Sequence, residues 1–167
     1  WKSARIRDLP VASSNFDFLK ENWSFLQDDA FKVEAAALRD PRTAAFYARR
    51  TLERALTWLY ENDTALKAPY EKSLAAMIHE PTFKNNIKSG LFQDLRYIQK
   101  LGNLAVHADQ DISPQEGMQA CGAVFRFTGW LARVYTRGST VPSNFERNLL
   151  PKEGVRQQSQ ATVIELQ

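Results

Sequence analysis

The chain has 167 residues, 44% of them hydrophobic and 25% charged, with a formal net charge of +3. That length suits one domain, or one domain with a tail, and the mild basicity permits contact with nucleic acid without arguing for it. A single cysteine, Cys121, excludes an intrachain disulfide and a thiolate zinc cluster and points to a cytoplasmic protein, and no apolar run reaches the length of a membrane span.

The opening Trp1-Lys2-Ser3-Ala4-Arg5 has no apolar stretch behind it, so it does not read as a signal peptide. Without an initiator Met, it reads as part of something longer. Residues 1–12 are taken as an N-terminal extension. Ser14 can cap a first helix, with Asp17 three positions on and Phe16 and Leu19 as its apolar residues. A second helix is predicted from Ser24 to Arg39, with Phe25, Phe31, Ala35 and Leu38 inward. Asp40-Pro41 then stops one helix and starts the next, because Asp caps and Pro suits the first helical position. This third helix runs to about Asn62. Its inner stripe is Ala45, Ala48, Leu52, Ala55, Leu56 and Leu59, and its outer side carries Arg42, Arg49, Arg50 and Arg54.

Asn62-Asp63-Thr64 breaks that helix. Pro69 is expected to open a fourth, with Leu74, Met77 and Ile78 apolar, and His79-Glu80-Pro81 to close it. A fifth is predicted from about Asn85 to His107. Residues 108–112 read as a loop, and Ser113-Pro114-Gln115-Glu116 is a strong helix start. The last helix runs to about Arg137 and ends at Gly138. Gly117, Gly122 and Gly129 lie inside it, each costing up to about 1 kcal/mol relative to Ala, which implies close approach of a neighbouring helix or of a second chain. From Ser139 the period is lost. Residues 139–167 read as a linker or arm, with Phe145, Leu149 and Leu150 pinning its first half and Val163-Ile164 able to add a short strand in a parent protein. The fold class is all-α: a compact bundle of five or six helices over 13–138 with an irregular C-terminal arm.

Much familiar chemistry is missing. There is no phosphate-binding Gly-rich loop ending in Gly-Lys-Ser/Thr, no Gly-x-Ser-x-Gly elbow and no HExxH. His79 and His107 are the only histidines. His79 at a helix C-terminus favours the helix dipole, and Cys121 reads as a small core residue.

The fifth helix carries the most information. At about 3.6 residues per turn, Arg96, Lys100, Asn103 and His107 share one stripe, opposite Leu91, Leu95, Ile98, Gly102 and Ala105. Cations, an amide and an imidazole in a row can hold an anion or a nucleic-acid backbone, or form an ordinary solvated face. Asn103 and His107, one turn apart, can also bond each other or hold the loop through Asp109 and Asp111.

Three stretches carry a family resemblance: Ser14-Asn15-Phe16-Asp17-Phe18-Leu19, then Glu34 through Asp40-Pro41 to Arg50 and Glu53, and Leu101-Gly102-Asn103-Leu104-Ala105-Val106-His107. Over roughly residues 13–137 the chain resembles the N-terminal helical region of the R (HsdR-type) subunit of type I restriction-modification enzymes, a small domain similar to HEPN domains. The resemblance implies a parent that cuts DNA and translocates it using ATP and Mg²⁺, together with methylation and specificity subunits. It assigns no cofactor to this portion, whose expected role is accessory and non-catalytic: helping the complex assemble or engage DNA. Candidate phosphate or nucleic-acid contacts are Arg96, Lys100, Asn103 and His107, with Arg49 and Arg50 as a second patch.

The alternative is a HEPN-type ribonuclease, or an RNA- or nucleotide-binding domain, acting as a dimer. HEPN ribonucleases place an Arg, a polar residue and then a His. Here Asn103 and His107 match, but Gly102 stands where the Arg would be. A third expectation is self-association through Trp130, Tyr135 and the glycines of the last helix.

Overall fold

The computed structural model describes residues 13–107 and 109–152, and these form an all-helical bundle. Its helices are α1 (Ser24–Ala36), α2 (Pro41–Asn62), α3 (Leu74–His79), α4 (Pro81–Lys84), α5 (Ser89–His107) and α6 (Pro114–Tyr135). Short 3₁₀ turns, Asp17–Leu19 and Arg147–Leu149, lie on either flank. The N-terminal extension and the Val163-Ile164 strand fall outside the described residues.

Local chemistry sets most of the boundaries. Asp40 accepts from the Thr43 backbone N–H at 3.3 Å and from its hydroxyl at 2.6 Å, with Pro41 opening α2. At α6 the capping box is complete: Glu116 N–H donates to Ser113 Oγ and Ser113 N–H donates to Glu116 Oε1, each at 3.1 Å. Ser73, not Pro69, starts the third of these helices by accepting from Ala76 N–H at 3.2 Å. Pro81 opens the separate short α4, so α5 begins at Ser89 rather than Asn85. The Ser14 signal belongs to a turn. Asp17 takes the N–H groups of Ser13 and Ser14 at 3.0 and 3.1 Å, and the 3₁₀ turn that follows spans only Asp17–Leu19.

The inner stripe of α2 is buried as its period requires: Ala45, Ala48, Leu52, Ala55, Leu56 and Leu59. The face of α1 differs from expectation. Leu26, Ala30 and Val33 are buried, whereas Phe25 and Phe31 are only partly covered and Ala35 is exposed. Asp29 and Glu34 cause the rotation, because both charged side chains are buried and partnered rather than turned to water. Asp29 receives Arg50 and Arg54 of α2, each at 3.2 Å. Glu34 accepts the backbone and side-chain N–H of Asn15, each at 2.9 Å.

Asn15 also ties down the arm. Its amide donates to the Glu146 carbonyl at 3.0 Å, and its carbonyl accepts from Glu146 N–H at 2.7 Å. Leu150 is buried, and Phe145 sits 5.7 Å from the Phe125 ring. The glycines of α6 are used within this chain. A methyl group at Gly117 would lie 2.1 Å from the Ala37 carbonyl oxygen, while Gly122 and Gly129 face Phe145 and Val141 of the arm. Trp130 packs on Phe83, Phe127 and Tyr135, and Tyr135 donates to Asp63 at 2.6 Å. The surface expected to pair two chains is thus largely spent on internal packing. Cys121 is a core residue: burial pushes its thiol well up, and nearby Glu34 adds to the effect.

A candidate polyanion-binding face on α5

Helix α5 is amphipathic as its period predicts. Leu95, Ile98, Leu101 and Gly102 are buried, while Arg96, Lys100, Asn103 and His107 are all exposed. Arg96, Lys100 and Asn103 line one open groove of about 900 Å³ between α5 and α6. Gln93, Asp94, Tyr97, Gln99 and Leu104 of α5 and Gln119 and Arg126 of α6 complete its walls. His107 is the last residue of α5 and does not line the groove.

The ionic state of the groove follows from its pairings. Arg126 grips Asp94 with two parallel hydrogen bonds, at 2.7 and 2.9 Å. That hydrogen bonding to Asp94 raises the guanidinium pKa and holds the charge on Arg126, while its partner cancels it. Tyr97 donates to Gln119 Oε1 at 2.9 Å; burial, and then the nearby Glu116, push its phenol up and keep it neutral. Among the described residues neither Arg96 nor Lys100 has an ion-pair partner. The groove therefore offers two uncompensated cations with amide donors from Gln93, Gln99, Asn103 and Gln119.

The arginines of α2 do not form one patch. Arg42 reaches the end of α5, donating to the Leu104 and Ala105 carbonyls at 3.1 and 2.8 Å. There it satisfies carbonyls that a helix C-terminus leaves open and opposes the dipole. Arg49 crosses Gly102, pairs with Glu53 at 2.9 Å and donates to Asn103 Oδ1. Arg50, one residue on, faces α1 and pairs with Asp29, so of the two only Arg49 joins the α5 face. Asn103 is thus engaged by Arg49, and among the described residues it does not bond His107.

Gly102 has a tertiary reason. A methyl group there would sit 2.7 Å from Arg49 Cβ and 2.9 Å from its Cδ, so a side chain on α5 would displace the arginine. Sequence reasoning missed Tyr97, Gln119 and Arg126. Tyr97 follows Arg96 on the groove side of α5, but the two α6 residues are placed by helix packing alone.

No family model, curated protein or solved structure matches this chain. Among the described residues no helix is long and apolar enough to cross a membrane, and no group of three His, Cys, Asp or Glu could hold a metal ion.

Proposed function

We propose that this chain is an accessory, non-catalytic helical domain that engages nucleic-acid phosphates through the outer face of α5. Its place would be at the front of a type I restriction R-type subunit, beside methylation and specificity subunits, as the sequence resemblance implies. One observation carries the binding reading: among the described residues Arg96 and Lys100 stand exposed and without ion pairs on one groove, while Arg49, Arg50, Arg54 and Arg126 are held by carboxylates. Phosphate contacts from such cations supply affinity and register without reading bases.

The test is a titration of labelled oligonucleotides across salt concentrations, comparing wild type with Arg96→Ala/Lys100→Ala. Each phosphate contact contributes a slope of about 0.9 on duplex and about 0.7 on a single strand, so losing two flattens the salt dependence by about 1.4 to 1.8. A wild-type slope near zero, or one the double substitution leaves unchanged, rejects the reading.

One observation favours a second reading, HEPN-type RNA cleavage by a dimer. Arg49 delivers a guanidinium from α2 across Gly102 to Asn103, next to where that motif's own arginine would stand. Incubating the same labelled RNA with the protein separates the readings. Cleavage products that vanish in His107→Ala support the nuclease, and intact RNA ends it.

A further inference from the structure

Phe46 is an aromatic ring left 44% exposed on α2, and Val106 is an aliphatic side chain left 54% exposed on α5. Neither is needed for the core, and their positions are linked. Helices α2 and α5 run antiparallel: Arg49 lies at Gly102, whereas Arg42, earlier on α2, reaches Leu104 and Ala105, later on α5. Phe46 stands three residues before Arg49, on the stripe shared by Arg42, Arg49 and Glu53. Val106 stands three residues after Asn103. Both therefore fall to the same side of the Arg49–Asn103 hydrogen bond, at the end of α5 that carries the exposed His107. Along α5 the surface changes from Arg96 and Lys100, past the amide of Asn103, to the exposed Val106, with the exposed Phe46 on the neighbouring stripe of α2.

We infer that this face takes a single strand of nucleic acid: its phosphates lie on Arg96 and Lys100, and one unstacked base rests on the Phe46 ring beside Val106. The inference rests on the proposed phosphate-binding role of α5 and narrows it. A duplex keeps its bases stacked inside and has no use for an aromatic ledge, whereas a single strand exposes π-faces that stack on Phe or Tyr whatever the base. The charge row supplies the other half of single-strand recognition, a cationic track for the backbone. DNA and RNA strands share this chemistry, and the assay separates them.

The experiment measures binding of oligothymidylate, oligouridylate and a duplex of equal length by fluorescence anisotropy. Phe46→Ala and Phe46→Leu should each weaken single-strand binding by about 5- to 150-fold, the range for losing one stacked base. The salt slope should not change, duplex binding should not change, and Phe46→Trp should restore affinity. Thermal melts confirm that each variant is folded; Phe46→Leu keeps apolar bulk while removing the π-face and its edge contact with the Tyr47 ring. The tighter of the two oligomers names the natural strand. Wild-type-like binding by Phe46→Leu, or equal losses on duplex and single strand, overturns the inference. If Arg96→Ala/Lys100→Ala flattens the salt slope while Phe46→Ala does nothing, the ledge fails and the phosphate face stands. If wild type shows no salt-dependent binding, both fail.

Discussion

Two glycine-to-alanine substitutions in helices of this bundle should move stability in opposite directions. Alanine is the better helix former by about 1 kcal/mol, so without neighbours either change would stabilise the fold. At Gly90, in the first turn of α5, a new methyl group meets nothing within 4 Å. At Gly117 the same methyl group would lie 2.1 Å from the Ala37 carbonyl oxygen and 3.1 Å from Pro41 Cβ. The obstacle is backbone at the α1–α2 junction and cannot rotate away. Helix α6 must withdraw by more than an ångström to bring that 2.1 Å separation to the 3.4 Å of ordinary contact, and overpacking of this kind costs about 1–3 kcal/mol or more. Because the clash is with main chain, the upper part of that range applies. After the propensity gain, the net loss is about 2 kcal/mol. For a domain of this size that lowers Tm by about 4–8 °C. Urea unfolding and thermal melts of Gly90→Ala, Gly117→Ala and wild type make the comparison. A Gly117→Ala protein as stable as Gly90→Ala would refute the close crossing of α6 over the end of α1.

Asn15→Ala should cost about 2 kcal/mol or more, since it strips a buried carboxylate of a donor and frees the Glu146 backbone. Denaturant unfolding reads the loss, and limited proteolysis should cut first between Ser139 and Lys152; an unchanged cleavage pattern would contradict the latch. Stability should also fall under alkaline conditions. Burial, and then Glu80, push the Tyr60 phenol up to about 12, and burial and the Asp63 hydrogen bond push Tyr135 up as well. Folded-state values above the unfolded value of about 10 mean that the unfolded chain releases its protons first. The contribution is therefore complete below about pH 10 and is lost as pH rises through about 12. Melts across that interval should show a shallower decline for Tyr60→Phe than for wild type, and identical slopes would refute the assignment.

Much of this architecture is local and so is legible in the chain. Asp40-Pro41 and Ser113-Pro114-Gln115-Glu116 carry their capping chemistry within four residues, and the inner stripe of α2 follows from period alone. The same holds for the exposed row Arg96, Lys100, Asn103 and His107 and for the core position of Cys121. Tertiary structure decided where charges went. A helical period tells which residues share a side but not what stands opposite. Arg42, Arg49, Arg50 and Arg54 therefore read as one basic patch, yet they serve the end of α5, Asn103 with Glu53, and Asp29. Asp29 and Glu34 turned α1 away from its apparent apolar stripe because their partners come from elsewhere: α2 and Asn15. The vacancy at Gly102 is filled by an arginine more than fifty residues earlier in the chain. Such pairings depend on how whole helices cross, and that geometry is set by summed packing over the bundle rather than by any short run of residues.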